Sequence, residues 1–409
     1  MEQVFEKFLR YVAVDTASDP EAECFPSTEK QKNLGRMLRE ELSAMGAQDA
    51  RMDEYGYVYA VIPPSAGCEA APALGLIAHM DTSPDAPGAN IRPRIVKNYG
   101  GGDVLLNEEK HIVLSPEKYP YLNECVGQDL IVTDGTTLLG ADDKAGVAEI
   151  MQLAEALLGE NAPKHGKICI AFTPDEEVGQ GADYFDLKGF GAAYAYTVDG
   201  GALGGIEYEN FNAASAKVQV NGVNIHPGDA KNKMKNALHI AMEFDRLLPP
   251  AETPAHTEGY EGFYHLNEMA GDVEGCAMHY IIRDHDRSRF EARKEKMRAI
   301  ARYLNETFGE GTVELTLTDS YYNMREKIEP HLHLIETAQN AMRAAGVEPV
   351  ISPIRGGTDG ARLSFEGLPC PNLSTGGCNY HGRFEYIPIQ SMEKMVEVLE
   401  EIVRTYAEK

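Results

Sequence analysis

Five separated segments of this 409-residue chain carry side chains able to ligate metal ions or move protons. The first is His79-Met80-Asp81, closing the apolar run LGLIAH. In an extended segment, residues two apart point to the same side. The Asp81 carboxylate could therefore bond the His79 imidazole and fix its tautomer while that ring binds a metal. The second is LLGADDKAG, with Asp142 and Asp143 between glycines at a helix entry, where one carboxylate could bridge two metal ions through its two oxygens. The third, FTPDEEVGQGA, sets Glu176 and Glu177 after a strand-like run. Adjacent carboxylates suit divided labour, one holding a metal while the other takes a proton from water activated there. The fourth and fifth are AYTVDGG, with Asp199, and the glycine-rich GGCNYHGRFEY, with His381.

Taken singly, each segment also fits a structural role: a hydrogen-bonded His–Asp pair, an acidic helix start favoured by the helix dipole, or a solvated acidic turn. Together His79, Asp142, Glu177, Asp199 and His381 offer two imidazoles and three carboxylates without a thiolate. That donor set suits a pair of Zn2+ ions with open positions, with Co2+ or Mn2+ as substitutes.

Ligands at strand ends need a sheet to bring them together, and α/β sheets present functional groups beyond the carboxyl ends of their strands. Leu34, Leu38, Leu42 and Met45 recur at helical spacing, and strand-like runs follow at 55–62 and 74–78. A helix is expected over 145–158, with strands at 167–173 and 193–198. The fold class predicted is α/β, a mixed sheet flanked by helices. Between about 210 and 325 the pattern changes. Alternating strands at 215–220, 276–283 and 313–317 are interleaved with helices spanning 234–248 and 290–308, two β-α-β units that resemble a small split sandwich. The expected organisation is therefore a discontinuous catalytic domain, 1–209 and 324–409, with a smaller α+β (ferredoxin-like) domain inserted as 210–323. Helices at 334–345 and 391–406 complete the larger part.

The 64 acidic against 38 basic residues give a formal charge of -26, which repels phosphate backbones and anionic lipid surfaces. No nucleic-acid or membrane partner is expected. Seven cysteines without a CxxC pair are not a disulfide framework, and MEQVFEKFLRYVAV has acids where a signal peptide has bases, so a cytoplasmic protein is expected.

In order and residue type the motif set, running from His79 to Glu385 and including the inserted domain, resembles the dizinc aminoacylase and carboxypeptidase-like metallopeptidase family. Within it the resemblance is to the aminopeptidases that cut tripeptides. The resemblance implies two zinc ions per subunit bridged by Asp142, with His79 and Asp199 completing one site and Glu177 and His381 the other. Asp81 would orient His79, the Asp142–Asp143 peptide would be cis, and Glu176 would be the general base. The inserted domain would act as lid and dimerisation domain. His226, in NGVNIHPGDA, would reach the partner subunit's active site and stabilise the tetrahedral oxyanion, which requires a homodimer. Without the resemblance His226 reads as a surface histidine beside Pro227-Gly228.

Arg283 and Arg355 could hold a peptide's C-terminal carboxylate bidentately, or pair instead with Asp284 and Asp359. An arginine at a fixed distance from the metals would measure substrate length, and tripeptides would fit best. Asp175 and neighbouring acids are candidates for the free amine. His331 and His333 begin a helix and lack partner ligands, His285 lies beside an expected salt bridge, and Cys378, whose thiolate would be out of character with the other ligands, is read as a packing residue. The activity implied is metal-dependent hydrolysis of the N-terminal residue from short peptides. The alternatives are a dipeptidase, carboxypeptidase or N-deacylase on the same scaffold, or a metal-bound dimer that only binds peptides.

Overall fold

The computed structural model describes residues 2–408, which fall into two units by packing: 2–208 with 326–352 and 358–408, and 209–325 with 353–357. In the larger unit, the near-continuous apolar runs Leu74–His79 and Ile168–Thr173 form strands buried along their whole length, as strands covered on both faces must be. They lie side by side in an eight-stranded mixed sheet, together with Gln48–Met52, Val58–Ile62, Tyr194–Gly200, Gly205–Glu207, Val350–Ile351 and Asn372–Ser374. The four strands Ile168–Thr173, Leu74–His79, Tyr194–Gly200 and Asn372–Ser374 are consecutive neighbours and mutually parallel. Their carboxyl ends therefore share one edge.

One side of the sheet is covered by the helix Ala141–Leu158, which packs on Leu74–His79 and Tyr194–Gly200 and is backed by Val4–Val12 and Ile389–Ala407. Gly146 permits that approach: a Cβ there would lie 1.9 Å from the Val198 carbonyl oxygen. On the other side Ile77, Ala171 and Ala195 join Leu363 of the helix Asp359–Glu366, with Phe185 and Phe190, in a second apolar core.

The smaller unit runs strand, helix, strand, strand, helix, strand: Asn212–Asn221, Ala237–Arg246, Phe263–Gly271, Gly275–Asp284, Arg287–Phe308 and Val313–Tyr321. Its antiparallel sheet has the order 263–271, 275–284, 212–221, 313–321. Val218, Val220, Met278 and Ile282 on the alternate positions of two strands meet Phe244, Phe290, Met297 and Leu304 of the two helices. The first helix begins at Ala237 rather than near Met234, because the Asn236 side chain accepts the Leu238 and His239 N–H groups as an N-cap.

The smaller unit's ends, 209 and 325, lie within two residues of the 210 and 323 read in the sequence, and one further segment joins it. Residues 353–357 belong with the smaller unit, since Arg355 donates to the carbonyls of Gly259 (2.6 Å), Glu261 and Thr257, and the Ile354 carbonyl meets His285 Nε2 at 3.0 Å. Among the described residues no helix is long and apolar enough to cross a membrane, and all seven cysteines are free.

Candidate dimetal centre

The shared carboxyl edge of the four parallel strands gathers the acids and imidazoles. His79 ends its strand in register with Thr173, two residues before Asp175 and three before Glu176. Asp199 lies near the end of Tyr194–Gly200, and the loop after Asn372–Ser374 carries His381, with φ of 59°. Asp142 enters from the start of the helix Ala141–Leu158, where it and Asp143 depart from helical φ/ψ and are joined by a cis peptide.

Within this cluster the Asp142 carboxylate stands between the two imidazoles. Its Oδ1 is 2.9 Å from His79 Nε2 and its Oδ2 is 3.1 Å from His381 Nε2. Asp199 Oδ1 lies 3.3 Å from His79 Nε2, and Glu177 Oε2 lies 2.9 Å from His381 Nε2. The possible ligand atoms of His79, Asp142 and Glu177 lie within 4.8 Å of one another, as do those of His79, Glu176 and Asp199. Glu176 thus sits as near the cluster as its ligand candidates do.

Electrostatics describe the same place. Burial opposes ionisation of Asp142, but hydrogen bonds from His381 and His79 outweigh it and hold this carboxyl below its ordinary range. Burial and the charge of Asp142 push Glu177 up to about 7, and burial above all raises Asp199 to about 6. Hydrogen bonds to Asp142 and Glu177 raise His381 to about 11. For Glu176, burial and the repulsion of Asp199 keep the carboxyl protonated well above its usual value. Protons here neutralise a concentration of negative charge, a task that divalent cations can take over by coordinating the deprotonated carboxylates and neutral imidazoles, with release of those protons. Glu177 Oε1 is buried without a hydrogen-bond partner, as expected of an oxygen reserved for a cation. The residues present fit a divalent metal cofactor.

Backbone N–H groups hold the acids in place. The Asp81 carboxylate accepts from Glu176 N (3.0 Å) and Glu177 N (3.2 Å). His79 Nδ1 meets the Asp81 carbonyl oxygen at 3.1 Å and the Asp81 carboxylate at 3.4 Å, and the same carboxylate also accepts from the Glu176–Glu177 turn. Asp143 accepts the His79 N–H at 3.0 Å. Glu385, unremarked as a functional residue in the sequence, accepts from Leu139 N (2.6 Å), Gly140 N (2.8 Å) and Asp142 N (3.0 Å), and so fixes the turn that presents Asp142. The only sequence cue to it is an acid four residues after His381.

His226, Arg283 and Arg355 belong to the smaller unit. His226 is exposed, its Nδ1 accepting from Gly228 N. Arg283 donates to the carbonyls of Ala214 and Ile282 and lies over the Tyr321 ring, while Asp284 pairs with Arg293. Asp359 accepts from Thr173 Oγ1 at 2.9 Å. The Asp175 carboxylate accepts from Ser27 and Gln31.

Residues 134–405 match the model of "Peptidase family M20/M25/M40", and the chain belongs to that family. Its relatives named Peptidase T include that of Desulfitobacterium hafniense (strain Y51), 57% identical over 100% of this chain and 99% of the relative. That of Halothermothrix orenii is 56% identical over 100% of both. Among solved structures the fold is similar to a tripeptidase from Staphylococcus aureus, with a TM-score of 0.80 at 22% identity over 100% of this chain and 98% of that one. Aminopeptidase PepT from Bacillus cereus gives 0.77 at 23% over the same shares.

Proposed function

We propose that this chain is a two-zinc tripeptide aminopeptidase, releasing the N-terminal residue of short peptides. The observation that carries the reading is the convergence of His79, Asp142, Glu177, Asp199 and His381 on one sheet edge with the buried Glu176 beside them. The full-length likeness to proteins named Peptidase T, and the fold shared with a tripeptidase, support it.

In this reading His79 and Asp199 would hold one Zn2+ and Glu177 and His381 the other, with Asp142 shared between them; Co2+ or Mn2+ could replace zinc. Bound divalent cations would supply Lewis acidity and make water acidic enough to give up a proton near neutral pH. Glu176, set beside the cluster, takes that proton as the water oxygen attacks the first peptide carbonyl. It then delivers the proton to the leaving amine. Asp81 fixes Glu176 and Glu177 by their backbone N–H groups throughout. His226 supplies oxyanion stabilisation to the partner subunit of a homodimer, and Arg355 or Arg283 grips the peptide's terminal carboxylate. Residues 210–323 then serve as lid and dimerisation domain, and the cytoplasm is the proposed compartment.

The test is release of free amino acid from a tripeptide, the related dipeptide and the N-acetylated tripeptide by zinc-loaded protein beside Glu176→Ala. Cleavage of the free tripeptide, weak cleavage of the dipeptide and none of the blocked peptide, all lost in the variant, is expected. Preference for the acetylated form would make the protein a deacylase, and inactivity throughout would leave a peptide-binding protein.

A further inference from the structure

One stretch of chain ahead of the ligand-bearing segments touches three of the turns that carry them. The Val14 carbonyl receives Lys144 Nζ at 2.7 Å, two residues after Asp142. Thr16, Ala17 and Ser18 run alongside Thr82, one residue after Asp81: Thr82 N donates to the Thr16 carbonyl and Ser18 N to the Thr82 carbonyl. Ser27 and Gln31 close on Asp175, next to Glu176. The Asp175 carboxylate accepts from Ser27 N–H, Ser27 Oγ and Gln31 Nε2, the last at 2.6 Å, and Asp175 N returns a bond to Gln31 Oε1 at 3.1 Å. The stretch is itself tied together by Thr28 Oγ1 to the Ala17 carbonyl (2.9 Å), Asp19 N to Ser27 Oγ (3.0 Å) and Lys30 to Asp15 (2.8 Å).

The joint at Asp175 is unusual in conformation as well as bonding. Asp175 has φ of 56°, in the left-handed region that costs a non-glycine residue about 1 kcal/mol or more unless its surroundings hold it there. Ser27, Gln31 and Asp175 are all buried, so four hydrogen bonds at this joint are sheltered from competing water. The left-handed turn aims the next two residues back across the sheet edge, where the Asp81 carboxylate captures their N–H groups. Glu176 is therefore held from both sides. Misplacing a reacting group by an ångström can cost a hundredfold in rate, so a joint of this kind bears on catalysis more than on stability.

We propose that residues 14–31 form a positioning strap for the catalytic turns, with Ser27 and Gln31 as positioning residues that set Glu176 through Asp175. This rests on the reading of Glu176 as the general base. The strap makes the arrangement of the three turns depend on one another: each is anchored to the same short length of chain.

The experiment compares full-length, metal-loaded wild type with Ser27→Ala, Ser27→Thr and Gln31→Ala, measuring kcat, KM, bound metal per subunit and thermal midpoint. Expected are a fall in kcat of about tenfold or more in Ser27→Ala and Gln31→Ala, KM within about twofold, unchanged metal content, and recovery of most of kcat in Ser27→Thr, which keeps the hydroxyl. Wild-type kcat in folded Ser27→Ala and Gln31→Ala would overturn the proposal. So would a fall in kcat that merely tracks lost metal, or a threonine variant no better than alanine. Should Gln31→Ala not fold, the Ser27 pair decides alone. If wild type cuts a different amide in place of tripeptides, the functional reading fails, and the same comparison on that amide still decides the strap.

Discussion

Two carboxylates that point at no ligand position do much of the organising at residue scale. Asp81 and Glu385 each collect backbone N–H groups from a turn that presents an acid, Asp81 from Glu176 and Glu177, Glu385 from Leu139, Gly140 and Asp142. Carboxylates bonded in this way usually ionise easily, yet burial pushes Glu385 up to about 7 against those bonds. Replacing it leaves three buried N–H groups without acceptors and frees Asp142 to drift between the imidazoles. Glu385→Ala is expected to weaken metal binding about 10–100-fold, as loss of a supporting hydrogen-bond partner does in metal sites. Titrating metal into the metal-free variant and following occupancy checks this; unchanged affinity would mean that the turn holds Asp142 by itself.

At the scale of the element, the helix Ala141–Leu158 has to be both a presenter of Asp142 and a core helix. Gly146 lets it touch the strand Tyr194–Gly200, and Glu149 lies one turn further along, buried with neither carboxylate oxygen hydrogen-bonded. Burial alone raises the Glu149 carboxyl well above its ordinary value. The folded protein therefore keeps a proton that the unfolded chain releases above about pH 4.3. With more protons bound to the native state, stability falls as pH rises above that unfolded value, by up to about 1.4 kcal/mol per pH unit until the folded carboxyl also ionises. Glu149→Gln removes this slope. Its stability advantage over wild type should be larger at pH 8 than at pH 5 in denaturant or thermal melts, and an equal offset at both would show that Glu149 titrates alike in both states.

At whole-molecule scale the chain is two units, and the residues proposed for one reaction are divided between them: the acids and His79 and His381 in one, His226, Arg283 and Arg355 in the other. Action of His226 on a second subunit gives a specific expectation. Neither His226→Ala nor Glu176→Ala should be active alone, but mixing them under conditions that exchange subunits should restore part of the activity. One active site of each mixed dimer would then have its own Glu176 and the other chain's His226. No recovery despite proven exchange would confine His226 to its own subunit or remove it from the reaction.

The residue types of the centre, their attachment to strand ends and the change of pattern near 210 were legible in the sequence because each is a local signal. An apolar run sets a strand, its last residues set what stands at the edge, and alternation reveals a half-exposed sheet. The observed strands Leu74–His79, Ile168–Thr173 and Tyr194–Gly200 lie where those runs predicted them. Other features depend on which distant segments meet, and no periodicity encodes that. Glu385 acts on Asp142 across more than 240 positions, the Asp81 carboxylate that faces His79 also accepts from the Glu176–Glu177 turn, and 353–357 leave the unit that surrounds them in sequence. The bonds from 14–31 to three separate turns are of the same kind. The sequence by itself determined the chemistry available and the edge on which it stands; only the tertiary structure decided which buried N–H groups each carboxylate would satisfy, because that choice is made by packing between segments far apart in the chain.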